Sequence, residues 1–469
     1  MTVSTPVKGS LRHVILGNGP AGVVAAEQIR KQRPRDSIVM VGAEPEPPYS
    51  RMAIPYLLIG KVGEKGTYLR KDPDHFKKQN IQEVQARATQ LDTAGKKVML
   101  DNGDVLEYDK LLIATGARPI SPPIPGVNLP GVHPCWTLEN ARQIIELAKP
   151  GSRVLQMGAG FIGCIIMEAL ALRGVKLTVV EMGNRMVPRM MTEGAGSMIR
   201  DWCIKKGVNV YCSTRVEAIE QGGQPVQPSE QGLIGKITSA LGFGGGGNNA
   251  VLAAKDSAPL RVKLSNGEVL EVDLVISATG VKPNLDFLEG SGLELDQGLL
   301  VDDHMQTNIK DVYAAGDVAQ VRDFSTGEKT VNMIQPAAAD DARIAAQNMM
   351  GQGTSTQGSL AMNVLDTLGL IAASFGQWWG AEGGQSVELQ NKDEFSYMRL
   401  EFLDDVLIGA TSLGLTNHVG VMRGLIQGKI HLGEWKDHLL EDPTRLMEAY
   451  LACAQSQSTW KLPSNSLQH

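Results

Sequence analysis

Short apolar runs recur along this chain, and glycine-rich turns follow two of them. The runs are HVILG at 13–17 and RVLQMG at 153–158. Runs this short and this apolar predict buried parallel strands, and a Gly-x-Gly-x-x-Gly turn after such a strand predicts the start of a helix. A second strand is predicted after each helix, at 37–44 and at 176–181. The glycines of the two turns are Gly17, Gly19 and Gly22, and then Gly158, Gly160 and Gly163.

The chain also repeats a longer pattern. Residues 97–116, KVMLDNGDVLEYDKLLIATG, and residues 261–280, RVKLSNGEVLEVDLVISATG, match in their apolar positions and end at Gly116 and Gly280. Each copy predicts a β-hairpin with an Asn-Gly turn, at 102–103 and at 266–267, and we expect type I′ geometry at both turns. The duplication predicts two copies of one supersecondary unit.

Each glycine-rich turn predicts a site for a dinucleotide. The first glycine permits a tight turn, the second lets the backbone approach a pyrophosphate, and the third lets the helix pack close to the strand. The helix N-terminus directs its amides at the phosphates, and it includes Pro20 and Ala21 in the first copy and Phe161 and Ile162 in the second.

An acidic residue ends the second strand of each copy. Glu44 and Glu181 lie 22 and 18 residues beyond the third glycine, where a carboxylate accepts hydrogen bonds from a ribose. The alternative is that each is an ordinary solvated loop acid. With both signals repeated, the chain is expected to bind two nucleotides.

These patterns predict an α/β fold with two Rossmann-like dinucleotide-binding domains. Each domain is expected to have three layers around a parallel sheet, with one domain inserted in the other and a C-terminal α+β domain after them. The predicted bounds are 1–119 with 282–350 for the first domain, 120–281 for the second and 351–469 for the third. Strand-like alternation at 397–414 and a helical pattern at 443–455 support the third.

Composition narrows the class of protein. The chain has 469 residues, 42% of them hydrophobic, and a net charge of −6, so we expect a multidomain globular protein without a nucleic-acid partner. It shows no signal peptide and no apolar run of about 20 residues, which predicts a cytoplasmic protein. The five cysteines and eight histidines show no metal-ligand spacing, and no metal site is expected.

The motifs resemble those of the two-dinucleotide-domain flavoproteins of the pyridine nucleotide-disulfide oxidoreductase superfamily. Its members include NADH oxidases, coenzyme A disulfide reductases, rubredoxin reductases and the flavin portion of NADH-dependent nitrite reductases. Besides the two glycine patterns, the resemblance rests on TGARP at 115–119, ATGVKPN at 278–284 and YAAGD at 313–317. It implies that the cofactors are FAD and NADH. A C-terminal domain of this kind usually dimerises in relatives, so a homodimer is one possibility, and the sequence leaves the oligomeric state open.

The resemblance assigns two sets of residues to these cofactors. Asp317 would bind the ribityl chain of FAD, although it could instead be a helix cap, and the amides at the start of the helix near Pro336 and Ala337 would face the flavin pyrimidine edge. The other residues of the FAD set are Gly17, Gly19, Pro20, Ala21, Gly22, Glu44, Arg51, Thr115, Gly116 and Gly316. The NADH set is Gly158, Gly160, Phe161, Ile162, Gly163, Glu181 and Gly280.

Three positions depart from the family pattern. Met52 stands where disulfide-reducing members have a redox cysteine, and a thioether cannot form a disulfide. Tyr56 and Ile165 stand where many relatives place a lysine and a glutamate beside the flavin. Both partners of that ion pair are then absent together. The alternative is a one-residue slip in the alignment, since Glu168 lies one helical turn further on. The departures imply chemistry without a protein disulfide.

An insertion at about 221–259 has no counterpart in the family pattern. Its flanks are rich in Gly, Gln, Pro and Asn, and its apolar residues at 233–243 fit one short amphipathic helix. Such a helix, over 232–243, would contact a partner or a membrane surface. The equal alternative is a disordered insertion whose apolar residues are accidental.

The sequence therefore predicts an NADH-dependent FAD oxidoreductase. The expected acceptor is a protein redox centre, namely a rubredoxin, a ferredoxin or a separate reductase subunit, because flavin divides a hydride into single electrons. One alternative is an NADH oxidase that makes peroxide. The other is a flavin-bearing interaction protein that turns over slowly.

Overall fold

The structure is a computed structural model that describes residues 9–222 and 259–457. The insertion expected at 221–259 lies outside these residues except at its two ends, and so does the 232–243 segment. Within the described ranges, no helix is long and apolar enough to cross a membrane.

The first part of the chain begins with a β-α-β unit and ends in short strands. A 3₁₀ helix at Arg51–Ala53 precedes α2. The elements are β1 (Arg12–Leu16), α1 (Pro20–Gln32), β2 (Ser37–Gly42), α2 (Ile54–Leu58), α3 (Glu64–Thr67), α4 (His75–Lys78), β3 (Ile81–Gln85), β4 (Ala88–Asp92), β5 (Lys97–Leu100), β6 (Val105–Glu107), β7 (Lys110–Ile113) and β8 (Ala117–Pro119).

The second part begins with a strand and a helix and then has its own β-α-β unit followed by short strands. Its elements are β9 (Val132–Pro134), α5 (Leu138–Leu147), β10 (Arg153–Met157), α6 (Phe161–Leu172), β11 (Lys176–Val180), α7 (Glu193–Lys205), β12 (Asn209–Tyr211), β13 (Val216–Gln221), β14 (Leu260–Leu264), β15 (Val269–Val272), β16 (Leu274–Ser277) and β17 (Val281–Pro283).

The remaining elements return to the first part and then form the C-terminal domain. They are β18 (Leu299–Leu300), β19 (Val312–Ala314), β20 (Ala319–Arg322), β21 (Lys329–Thr330), α8 (Gln335–Met349), β22 (Met362–Thr367), β23 (Leu370–Gly376), β24 (Gln385–Asn391), β25 (Ser396–Leu403), β26 (Val406–Leu413), α9 (Val419–Gln427), α10 (Trp435–Glu441) and α11 (Leu446–Gln457).

Two parallel five-stranded sheets organise the molecule. The first has the order β19-β7-β1-β2-β3 and the second the order β12-β11-β10-β16-β9. All neighbouring strands in both sheets run parallel. Four of the five residues in each central strand, β1 and β10, are buried, as expected of strands covered on both faces.

The chain crosses between the two nucleotide domains at one place. Strand β8 leaves the first domain and pairs antiparallel with β17, which returns to it. Strand β19, from beyond the second domain, then completes the first sheet beside β7. The first domain is thus discontinuous in sequence, and the second is inserted in it.

The two duplicated hairpins have the same turn, but the expected type I′ geometry is wrong. Only Gly103 and Gly267 have positive φ, at +83° and +88°, whereas type I′ also needs a positive φ at the preceding asparagine. Instead Asn102 Oδ1 accepts from the Asp104 amide at 2.9 Å, and Asn266 accepts likewise from Glu268. This side-chain bond favours a three-residue turn that ends in a left-handed glycine.

The C-terminal domain is an antiparallel sheet, in the order β22-β23-β26-β25-β24, with helices α9 to α11. It packs against the second nucleotide domain. The Thr192 hydroxyl donates to the Tyr397 hydroxyl at 2.7 Å, and the Trp202 indole donates to the Thr367 carbonyl at 3.0 Å. The two domains share one buried cluster that includes Tyr397, Leu365 and Met198.

Candidate functional site

The first glycine-rich turn has the geometry expected of a dinucleotide site. Gly17 has φ +111°, and an added Cβ would lie 2.0 Å from the Ala114 carbonyl oxygen. A Cβ at Gly22 would lie 1.9 Å from the Gly17 carbonyl oxygen, whereas one at Gly19 would meet no atom within 4 Å. The first and third glycines are therefore required by packing, and the second faces the open space that a pyrophosphate needs.

The second glycine-rich turn divides the roles in the same way. A Cβ at Gly158 would lie 2.4 Å from the Ala278 carbonyl oxygen, and one at Gly163 would lie 2.6 Å from the Gly158 carbonyl oxygen. Gly160 again faces open space. Helix α6 starts directly after it without a side-chain cap, so its first amides are free to bind an anion.

A cavity of about 590 Å³ lies at the carboxyl ends of β1, β2, β7 and β19. The predicted FAD residues that line it are Gly17, Gly19, Pro20, Ala21, Glu44, Arg51, Thr115, Gly116, Gly316 and Asp317. The second domain also reaches it, since Phe161, Ile162 and Ile165 of α6 contribute to the wall. One cavity therefore joins the first glycine turn to the helix that follows the second.

Glu44 lies in a small hydrogen-bonded network at one side of this cavity. Its carboxylate accepts from the Tyr49 hydroxyl at 2.6 Å and from Arg51 Nη2 at 2.5 Å. Arg51 also donates to the Trp136 carbonyl at 2.6 Å, and its guanidinium lies 5.1 Å from the Trp136 ring centre. A carboxylate can accept about four hydrogen bonds, so Glu44 keeps capacity for a ribose.

Asp317 lines the cavity from the turn after β19. Gly316 precedes it with φ +75°. Burial raises the pKa of Asp317 to about 6, although the positive charge of Arg51 acts in the opposite direction. A buried acceptor at this position fits a hydroxyl-bearing cofactor chain.

Glu181 forms the corresponding acidic site in the second domain. Its two oxygens accept from the Ala159 amide at 2.7 Å and the Gly183 amide at 2.8 Å. Arg185, which could have bound a 2′-phosphate, instead donates to the carbonyls of Met191 at 3.2 Å and Pro188 at 3.1 Å. The loop thus presents a carboxylate, while the nearby guanidinium is held by backbone carbonyls.

Several predicted residues lie outside the cavity wall. Tyr56 does not line the cavity, and its side chain is 53% exposed, so its expected place beside the flavin is not found. The start of α8 reaches the wall through Gln335 and Ala338, not through Pro336 and Ala337. The others off the wall are Gly22, Gly158, Gly160, Gly163, Glu181 and Gly280.

Met52 and Ile165, in contrast, both line the cavity, and neither can titrate. Glu168, the alternative acidic position, is not on the wall. Burial raises its pKa. No lysine side chain lines the wall among the described residues.

Asn284, Cys135 and Trp136 are among the lining residues that were not anticipated from the sequence. Asn284 donates to the Thr115 carbonyl at 2.8 Å, and the Thr115 hydroxyl donates to the Asn284 carbonyl at 3.2 Å, which fixes the TG turn. Cys135 and Trp136 lie before α5. Asn284 belongs to the KPN motif at 282–284, which could have identified it as a lining residue. No sequence pattern indicated that Cys135 or Trp136 would line the cavity.

None of the five cysteines forms a disulfide in the structure, and burial raises the pKa of each thiol. It raises the pKa of Cys135 to about 12 and that of Cys164 well above its ordinary value. Only Cys135 lines the cavity, while Cys164 is fully buried within α6. Among the described residues, no cluster of three or more His, Cys, Asp or Glu side chains could hold a metal ion.

Comparison with known proteins agrees with this geometry. The family model described as pyridine nucleotide-disulphide oxidoreductase matches residues 11–239 and 247–342. The epsilon subunit of NADH-dependent phenylglyoxylate dehydrogenase from Aromatoleum evansii is 30% identical over 435 residues, which cover 92% of this chain and 95% of that protein.

Two further comparisons extend this likeness. An NADH oxidase from Methanocaldococcus jannaschii is 30% identical over 350 residues, 73% of this chain and 70% of that protein. Among solved structures, an NAD-dependent persulfide reductase from A. fulgidus superposes with a TM-score of 0.77 at 27% identity, over 90% of this chain and 78% of that chain. The resemblance inferred from the motifs and the expected α/β class are both confirmed.

Proposed function

The chain belongs to the pyridine nucleotide-disulphide oxidoreductase family, whose NADH-dependent members bind FAD and NADH, and we propose that it passes electrons from NADH through FAD to a protein redox centre. The acceptor we favour is a separate subunit that carries the centre, or else a rubredoxin or a ferredoxin. No protein disulfide takes part in the proposed reaction.

The single observation that carries this proposal is the shared cavity. Residues of the first glycine turn and of helix α6, which follows the second, line the same space of about 590 Å³. Gly19, Glu44 and Asp317 would hold FAD, which would supply the chemistry that takes up one hydride, with its two electrons, and passes the electrons on one at a time. NADH held at Gly160 and Glu181 would reach the same space past Phe161.

The wall residues on the α6 side suit a hydride donor. Phe161, Ile162 and Ile165 give this side apolar surface without a group that could take up or release a proton. An apolar wall excludes water from the transfer and orients a flat ring by contact. The chain's contribution there is alignment of the two cofactors and not acid–base chemistry.

The absence of disulfide chemistry is supported by the side chains around the cavity. Met52 occupies the wall position expected for a redox cysteine. The one cysteine of the wall, Cys135, has its pKa raised to about 12 by burial, so its thiol is neutral near pH 7. Thiol–disulfide exchange requires the thiolate, and a neutral thiol is a poor participant.

A protein acceptor is supported by the relatives. The Aromatoleum evansii protein, which this chain matches over 95% of its length, is by name one subunit of an NADH-dependent dehydrogenase. By analogy, this chain would bind NADH and FAD and take electrons from NADH. Other subunits would bind the second substrate. We place this exchange in the cytoplasm, where NADH is available.

Oxygen is the rival acceptor, because the Methanocaldococcus jannaschii relative is by name an NADH oxidase. The test uses FAD-loaded protein with NADH and purified rubredoxin or [2Fe–2S] ferredoxin, first without oxygen and then in air. We expect reduction of at least one protein probe to exceed the peroxide formed in air by about tenfold or more. Peroxide formation faster than reduction of either protein would support the oxidase and contradict the proposal.

A further inference from the structure

Gln156 is a buried amide that lies beside the second glycine-rich turn. It belongs to β10, it is fully buried, and its register neighbours on β11 and β16 are the apolar Val179 and Ile276. Its Nε2 atom donates to the Gly158 carbonyl at 2.9 Å and to the Gly163 carbonyl at 2.9 Å. One nitrogen therefore joins the start of the glycine turn to the first turn of helix α6.

The first nucleotide domain has an aliphatic residue at the equivalent position. Ile15 stands two residues before the first glycine of its turn, as Gln156 does in the second copy, and Ile15 is also fully buried. A Cβ at Gly22 would lie 3.3 Å from Ile15 Cγ2. The equivalent distance in the second copy, from a Cβ at Gly163 to Gln156 Nε2, is 3.1 Å. The two side chains thus fill the same place against the third glycine, and the first turn forms there without an amide.

The amide of Gln156 is therefore not needed to fill this place, and its burial has a cost. Its Oε1 atom is buried and has no hydrogen-bond partner among the residues that the structure describes. Both partners of Nε2 are carbonyls, so rotation of the amide would only replace a donor by an acceptor. A buried acceptor without a partner costs free energy that an isoleucine avoids. The contacts of Nε2, rather than core packing, explain this side chain.

The loop after β11 holds the next residue of the same turn. The Ala159 amide donates to Glu181 Oε2 at 2.7 Å, and the Ala159 carbonyl accepts from the Val187 amide at 2.8 Å. Gln156 acts from the strand, at the carbonyl that precedes Ala159. The backbone that leads to Gly160 and to the uncapped amides of α6 is thus fixed from two sides.

We propose that Gln156 is a positioning residue for NADH: it sets the distance between the glycine turn and α6, so that the first amides of the helix point at the diphosphate. A nucleotide that enters and leaves in every turnover has to meet a turn that is already formed, because ordering the turn on binding would lower its affinity. A cofactor that stays bound, such as FAD, orders its own turn, and Ile15 suffices there. This role rests on NADH binding at the second turn, as in the proposed function, and not on the identity of the acceptor.

The test removes the amide in two ways. Gln156→Ile introduces the side chain of the first copy, and Gln156→Met keeps the length of glutamine without its donor. Calorimetric titration of the FAD-loaded proteins with NAD⁺ measures affinity without turnover. We expect the dissociation constant to rise about fivefold or more in both variants, because the amides of α6 lose their fixed direction. The limiting rate of flavin reduction at saturating NADH should stay within about twofold of the wild type, because Gln156 does not line the cavity.

The matched control is Gln320→Met, which removes another buried glutamine amide, in β20. Gln320 accepts from the Gly298 amide at 3.0 Å and does not line the cavity, so NAD⁺ affinity should not change. NAD⁺ affinity within about twofold of the wild type in both Gln156 variants would overturn the proposal. So would loss of FAD or failure to fold in both variants, since Gln156 would then be a residue of the core. NAD⁺ binding is measured without an acceptor, so failure of the acceptor proposal would leave these constants unchanged.

Discussion

Arg51 Nη2 lies 2.5 Å from Glu44 Oε1, and this ion pair joins the end of the second strand to the segment that precedes α2. Both residues line the cavity. The pair holds the carboxylate expected to bind a ribose of FAD, and the same guanidinium faces Asp317. Arg51 therefore connects the two acidic groups of the proposed FAD site.

Replacing Arg51 should weaken FAD binding. In Arg51→Gln we expect the dissociation constant to rise about tenfold, or ~1.4 kcal/mol, because Glu44 loses a charge-assisted hydrogen bond. FAD release on dilution of the holoprotein measures this change. The control is Arg445→Gln, which breaks an exposed pair with Glu448 in the C-terminal domain. An Arg51→Gln protein that binds FAD as tightly as the wild type would show that this network does not contact the cofactor.

NADH should be preferred to NADPH by about tenfold or more in kcat/KM. Glu181 would accept from a ribose hydroxyl and repel a 2′-phosphate, and Arg185 is held by the carbonyls of Met191 and Pro188. Steady-state reduction of ferricyanide with each nucleotide measures the ratio. Glu181→Gln should narrow it, mainly through a lower KM for NADPH. Equal use of the two nucleotides by the wild type would mean that Glu181 points elsewhere.

The sequence predicted the two glycine turns well because their requirements are local. Gly17 and Gly158 have positive φ, and Gly22 and Gly163 leave no room for a side chain. The spacing of these glycines in the sequence was therefore enough to predict the geometry of both turns. Helices α1 and α6 start directly after the second glycine of each turn, at Pro20 and Phe161. Asp317 follows a strand of the first sheet and lines the cavity, and its role toward FAD stays a prediction.

The misses involve contacts between distant segments. Cys135 reaches the cavity because β9 lies at the edge of the second sheet beside β16, and nothing local reveals that pairing. Tyr56 was placed by alignment to a lysine, yet the short helix α2 turns it outward.

The cavity should hold one redox group, the flavin. An anaerobic titration of the FAD-loaded protein with NADH should consume one equivalent per flavin, without a long-wavelength thiolate-to-flavin band. Because Cys135 is the one cysteine of the wall, Cys135→Ala should leave the titration unchanged. Cys212→Ala, at the half-buried cysteine of the second domain, serves as the control. Uptake of a second equivalent that disappears in Cys135→Ala would show that this thiol is redox-active.

Residues 223–258 should be dispensable for both nucleotide sites. The Gly222 amide donates to the Pro259 carbonyl at 2.8 Å, and Gln221 pairs with Leu260, so the ends of the segment meet across two antiparallel strands. Replacing the segment with Asn-Gly should leave FAD content and ferricyanide reduction within about twofold of the wild type. If the segment docks on a partner, electron transfer to that protein should fall. Loss of ferricyanide reduction would instead assign the segment to the core of the NADH domain.

The most direct test of the central claim is anaerobic stopped-flow mixing of the FAD-loaded protein with NADH. We predict that NADH bleaches the visible absorbance of the flavin within a single turnover, because both nucleotides meet in the cavity lined by Gly19 and Phe161. The rate of this bleaching should exceed the rate of steady-state turnover with any acceptor. A protein that binds FAD and NADH but leaves the flavin oxidised would contradict the claim, and the chain would then be a flavin-bearing interaction protein.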